Sequence, residues 1–207
     1  MPAIAITGRI GSGKSEVLHI LAPLLGVPKD HIYCADEENR KLLDHDAEVR
    51  DLITKLLGSA CYTGEGRADR SKIFPLISSD PRLRRELENI LHPRLEILWK
   101  PKAACYSMDT SAFFIAEIPL LYEKHLEEFF NQVIVVGCSE STKKERLHRY
   151  RSLDTGKAEA WSMMQGSLND KIPKANYLIW NDGSHHLLQE QIRHLTSHLL
   201  SLNPLSF

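Results

Sequence analysis

Residues Ala3 to Leu25 read AIAITGRIGSGKSEVLHILAPLL, and the stretch GRIGSGKS from Gly8 to Ser15 constrains the chain more than any other feature. Gly8, Gly13, Lys14 and Ser15 match G-x-x-x-x-G-K-[ST], the phosphate-binding Walker A pattern. The context agrees: a short apolar run, Ala3–Thr7, precedes it, and a stretch with helical spacing, Glu16 to Leu25, follows it. Glycines let the backbone wrap closely around a polyphosphate with its amides turned inward, and the following helix aims its positive end at the same anion. In that pattern Lys14 meets the β- and γ-phosphates, and the Ser15 hydroxyl takes a place on Mg²⁺. Arg9, Ile10, Gly11 and Ser12 complete the loop and Glu16 opens the helix behind it, so Gly8 to Glu16 is the expected ATP-binding segment.

Further short apolar runs at His31–Cys34, Ala112–Ile118, Gln132–Gly137 and Asn176–Trp180 lack strict alternation, as expected of strands covered on both faces. Helical spacing between them, repeated at Leu187 to Leu202, predicts βαβ units. The expected fold is α/β: three layers around a parallel sheet of about five strands, with a helical insertion on it. Residues 1–36 and 112–207 form the expected nucleotide-binding core. The interval 37–111 is charged, is broken by Gly64, Gly66, Pro75, Pro81, Pro93 and Pro101, and has helical patterns at Ala47–Leu57 and Pro81–Leu91; it reads as the insertion. The polar stretch 139–171 holds many Lys and Arg residues and again reads as helical.

Composition narrows the function. Lys and Arg total 26 against 27 Asp and Glu, a net charge of −1, so no global field gathers nucleic acid or an anionic membrane and any anion must be bound locally. The apolar runs are too short to span a bilayer, the start lacks a secretory pattern, and the expectation is a cytoplasmic protein, monomeric or a small homo-oligomer. Cys34, Cys61, Cys105 and Cys138 are too scattered for a zinc site or a disulfide framework and read as reduced thiols. His185-His186, beside Asn181-Asp182-Gly183, reads as part of a solvated loop. There is no N-K-x-D guanine reader, which disfavours a GTPase. A short chain with helical material before the third strand suits a kinase that closes over a small acceptor and excludes water.

Several segments carry a closer likeness. Thr7 to Ser15 reads T-G-R-I-G-S-G-K-S; Ala35-Asp36 is followed by Arg40; Gly66 to Arg70 reads G-x-x-x-R and leads through Asp80-Pro81 to Leu91-His92-Pro93. Then come Pro119-Leu120-Leu121-Tyr122-Glu123 and Asn181-Asp182-Gly183. In this order and spacing the chain resembles the dephospho-coenzyme A kinase family over nearly its whole length. The resemblance implies transfer of a phosphoryl group from ATP to the ribose 3′-hydroxyl of dephospho-coenzyme A, the two small-molecule partners, with Mg²⁺, on a three-layer P-loop kinase fold in which 37–111 is the helical acceptor-binding insertion and 139–171 the helical lid.

It also assigns roles. Asp36 falls on the acceptor side, and its position after a short strand suits a proton acceptor, although Asp is equally a good helix N-cap. Arg40, one helical turn on, is either an acceptor-phosphate contact or an intrahelical ion pair. Arg70, His92, Pro119 and Leu120 belong to the acceptor side by resemblance, with Pro119-Leu120-Leu121 also readable as a structural wall. Glu117 ends an apolar run where a Mg²⁺-holding carboxylate is expected, or else faces solvent. Asn181 joins the ATP site. The family's lid pattern R-x-x-x-R appears as Arg146 followed by Tyr150, with Arg149 and Arg151 flanking, so Arg146 and Arg149 are the candidate lid cations. The later Q-x-x-x-x-x-[RK] stretch survives as Gln165 to Lys171, the following A-D is Ala175-Asn176, and a family Phe is replaced by Ser78.

Overall fold

The first strand, β1 (Ala3–Thr7), has every residue buried, which is why it needs no polar alternation. The computed structural model describes residues 2–108, 112–151 and 165–202. The remaining strands are β2 (Ile32–Cys34), β3 (Phe114–Glu117), β4 (Gln132–Gly137) and β5 (Tyr177–Trp180). They form the expected five-stranded parallel sheet in the order β2-β3-β1-β4-β5. Ile6 lies opposite Glu117 on one side and Ile134 on the other, and Gly137 lies opposite Trp180. Every strand end named here points the same way, so the exits of β1, β3, β4 and β5 gather along one edge, where open α/β sheets bind ligands.

Helices α1 (Lys14–Leu24), α2 (Ala35–His45), α3 (Ala47–Leu57), α4 (Arg70–Ser79), α5 (Pro81–Met108), α6 (Glu140–Arg151), α7 (Leu168–Lys171) and α8 (His185–Ser201) complete the described residues. On one face of the sheet Ile4, Ile6, Ile115, Ile134, Val136 and Ile179 pack against Val17, Leu18 and Leu21 of α1 and Leu188, Ile192, Leu195 and Leu199 of α8. The alternate residues face the other way, where Tyr106 near the end of α5 stacks on Phe114. Helices on both faces give the three layers.

The chain divides into two compact units, 1–33 with 100–207, and 34–99. The second unit has its own core of Leu43, Val49, Ile53, Cys61, Ala68, Ile73, Leu87, Leu91 and Leu95. Asp46 and Asp69 cap α3 and α4 by accepting from the Val49 and Ser71 amides. Here the structure corrects the reading of the prolines as breaks. Pro75 lies inside α4, and α5 continues through Pro93 and Pro101 for 28 residues instead of stopping near Leu91. An interior proline costs about 3 kcal/mol, whereas each buried leucine of the Leu87-Leu91-Leu95 face contributes about 1.5–3 kcal/mol. Packing wins. His185, assigned to a loop, opens α8 with Ser184 as its cap. The middle of the expected lid, 152–164, lies outside the described residues.

Ile134, fully buried between β1 and β5, tests this core. Ile134→Ala is expected to lower unfolding free energy by about 2–5 kcal/mol without changing the denaturant slope, measured by urea titration.

Candidate active site

The segment from Gly8 to Gly13 leaves β1 and turns into α1 under two close approaches. A Cβ on Gly8 would lie 2.2 Å from the Val136 carbonyl oxygen, and one on Gly13 would lie 2.2 Å from Asn181 Nδ2; both residues have positive φ. Only glycine fits either place. Gly13 has no side chain to cap α1, so the helix presents its first amides outward, unlike α3, α4 and α8.

The loop carbonyls are held from behind. Asn181 Nδ2 donates to the Ser12 carbonyl at 2.9 Å, and Arg146 Nη2 donates to Asn181 Oδ1 at 3.2 Å. Arg146 Nη1 reaches the Ser12 and Gly11 carbonyls at 3.4 and 3.5 Å. The Ser12 carbonyl and the Gly13 N–H share one planar peptide, so tying the first turns the second the opposite way. Lys14, 7% exposed, bends back and donates to the Arg9 carbonyl at 3.1 Å. Ser12 Oγ is buried with no hydrogen-bond partner among the described residues.

Supports surround the loop. Arg9 pairs with Glu140 at 2.6 Å, and buried Lys143 donates to the same carboxylate. The Lys143 hydrogen bond, helped by Arg9, holds the Glu140 carboxyl below its ordinary range against the effect of burial. Burial pushes the Cys138 thiol up, leaving it protonated and 3.8 Å from the Gly11 carbonyl. Ile10 is buried, and its N–H donates to Gln165 Oε1 at 2.6 Å. Asp182 accepts from the Ser139 N–H at 2.8 Å and ties the start of α6 beside Asn181.

Glu117 is 1% exposed at the end of β3, not facing solvent, and its Oε1 accepts from the Ser15 hydroxyl at 3.2 Å. Thr7 Oγ1 donates to the Pro119 carbonyl at 3.3 Å, while Leu120 is partly buried beside it. Glu16 is exposed and pairs with His185 at 2.9 Å. Arg149 is also exposed and pairs with Glu145 at 3.5 Å, so of the two candidate lid cations the structure brings only Arg146 to the loop.

In the second unit, α2 begins at Ala35 with Cys34 as its N-cap residue, so Asp36 is not the cap; it lies in an acidic first turn with Glu37 and Glu38. Arg40 is exposed one turn on. Arg70 opens α4, and its guanidinium donates to Asp44 Oδ2 at 2.9 Å while Asp44 Oδ1 accepts from the Ala68 N–H at 3.0 Å. Burial would raise the Asp44 carboxyl, but the Arg70 and Ala68 hydrogen bonds outweigh it and hold it below its usual range. His92 is half-buried in mid α5, followed by Pro93 without a helix end.

Known proteins resemble this chain. The family model described as dephospho-CoA kinase matches residues 2–186. The chain belongs to the dephospho-CoA kinase family. A dephospho-CoA kinase domain-containing protein of Danio rerio is 32% identical over 197 residues, covering 95% of this chain and 84% of that protein. The dephospho-CoA kinase of Listeria monocytogenes is 30% identical, covering 91% and 92%. A crystal structure of TT1252 from Thermus thermophilus superposes with a TM-score of 0.73 at 26% identity, covering 95% and 97%. As a member of the dephospho-CoA kinase family this chain is a kinase of the final step of coenzyme A biosynthesis. Sequence reasoning found the loop, Asn181 and Arg146 but assigned no part to Lys143, Glu140 or Gln165. Lys143 and Glu140 have no motif of their own, and Gln165 heads the Q-x-x-x-x-x-[RK] stretch without a role being legible from it, because such contacts join residues far apart in the chain, 131 positions for Glu140 to Arg9 and 155 for Gln165 to Ile10.

Gly13→Ala is expected to weaken nucleotide binding at least about tenfold in titration calorimetry, because the Asn181 amide must move and the backbone is strained. Asp44, with its lowered native pKa, adds stability that is fully present above the ordinary carboxylate range and is lost as pH falls through the native value. Asp44→Asn is therefore expected to flatten the acid limb of urea-unfolding stability below about pH 4, by less than about 1 kcal/mol because Arg70 is partly solvated.

Proposed function

We propose that the chain transfers the γ-phosphoryl group of ATP to the ribose 3′-hydroxyl of dephospho-coenzyme A, giving coenzyme A and ADP. The observation that carries this reading is the Gly8–Ser15 cradle, with its carbonyls tied back by Arg146 and Asn181 and with Lys14 buried across it, in a chain of this family. Amides turned toward one side with a buried ammonium suit a polyphosphate and little else.

In this mechanism the loop amides and Lys14 spread the charge of the migrating group, and Arg146, with Arg149 on the same helix, adds positive charge. Asp36 takes the proton of the attacking 3′-hydroxyl as the new O–P bond forms and the bond to the ADP oxygen breaks. Arg40, Arg70 and His92 hold the acceptor's phosphates, and Pro119 and Leu120 line its wall. The donor set of Ser15 and Glu117, one hydroxyl and one buried carboxylate, fits Mg²⁺, which favours hard oxygens and keeps most of its shell for water and phosphate. When bound there, Mg²⁺ supplies charge neutralisation to the phosphates. No helix among the described residues is long and apolar enough to cross a membrane, and none of the four cysteines forms a disulfide; the enzyme's place in this reading is the cytoplasm, as a monomer or small homo-oligomer.

ADP release with ATP and a panel of acceptors tests the reading: dephospho-coenzyme A is expected to support turnover, and nucleosides, shikimate and gluconate are not. Lys14→Ala is expected to lower kcat by about 10²-fold or more with the fold intact by circular dichroism. Asp36→Asn is expected to keep ATP binding and lose about 10²–10⁴-fold in transfer. Turnover with another acceptor in place of dephospho-coenzyme A would overturn the assignment.

A further inference from the structure

Glu123, which closes the Pro119–Glu123 run, and the segment from Gln165 to Lys171 have no part in the chemistry above, yet the structure joins them. Lys171 is 2% exposed, and its ammonium donates to Glu123 Oε1 at 2.8 Å and to the Pro119 carbonyl at 3.2 Å. The same Glu123 oxygen accepts from the Gly166 N–H at 2.6 Å. A buried ammonium persists only when paired and hydrogen-bonded, so this node is specific about its geometry. It grips the backbone of the residue next to Gln165.

Gln165 in turn grips the phosphate loop. Its Oε1 accepts the Ile10 N–H, and that N–H belongs to the same planar peptide as the Arg9 carbonyl. The Arg9 carbonyl accepts both the Lys14 ammonium at 3.1 Å and the Ser12 N–H at 3.2 Å. Rotation of that peptide would withdraw the acceptor that bends Lys14 across the loop. We propose that Gln165 is a positioning residue for the phosphate loop, acting through the Arg9–Ile10 peptide on Lys14, and that the buried Glu123–Lys171 pair holds Gln165 in place. The proposal rests on the phosphoryl-transfer reading of the loop.

The consequence is selective for the donor. Gln165→Met keeps length and apolar bulk but removes the acceptor. It is expected to raise KM for ATP about fivefold, the worth of one hydrogen bond, and to leave KM for dephospho-coenzyme A and the melting temperature unchanged. A merely structural role would lower the active fraction, reducing kcat and sparing both KM values. Glu123→Gln keeps an acceptor for Gly166 but unpairs Lys171, and is expected to raise KM for ATP in the wild-type background and to add nothing in the Gln165→Met background. An unchanged KM for ATP in Gln165→Met, or a double variant whose KM is the product of the two single effects, overturns the proposal. If Glu123→Gln does not fold, Gln165→Met, at a half-buried position, decides alone. Failure of the wild-type enzyme to phosphorylate dephospho-coenzyme A would instead sink the functional reading, and the two failures are distinguished by the wild-type assay.

Discussion

The nucleotide end of this protein depends on backbone passing where no side chain fits. Gly8 runs against the Val136 carbonyl and Gly13 against the Asn181 amide. Those approaches let β1 turn at once into α1, and they bring the loop carbonyls within reach of groups from β5's exit and from α6. With its carbonyls engaged, the loop presents amides and one buried ammonium on the other side. Because the whole chain carries a net charge of only −1, this local arrangement, and no general field, gives the molecule an affinity for anions.

Charges around the loop are arranged in opposed pairs. Glu140 is shared by Arg9 and Lys143, and Glu123 by Lys171 and a backbone amide. Each carboxylate offsets cations, Arg9 and Lys143 in one case and Lys171 in the other, that would be costly to bury unpaired. The start of α1 stands apart from this pairing, since no side chain caps its first amides.

Much of the fold was legible because its signals are local. All five strands lie within runs that are apolar without alternation, and the Walker A pattern fell between a strand and a helix as its chemistry requires. Prolines misled the reading of the helical interval: Pro93 and Pro101 look like stops along a chain, but α5 runs through both, and around Pro93 its leucines bury a continuous face that outweighs the break. Asp36 as an N-cap failed for a finer reason, because α2 starts at Ala35 with Cys34 as its cap residue, two residues earlier than a cap at Asp36 allows. Lys171 gave no hint of burial, since a lysine near a segment of mixed polarity reads as solvated.

The amino-acid sequence by itself determined the alternation of strands and helices, the phosphate loop and the family, because each rests on residues close together along the chain. Tertiary structure alone decided that Arg146, not Arg149, faces the loop, that Glu117 is buried against Ser15, and that Gln165, Glu123 and Lys171 form one support behind Ile10. These contacts join residues far apart in the chain. Which of several chemically equivalent side chains makes such a contact is set by helix rotation and packing, and neither leaves a spacing that can be read in one dimension.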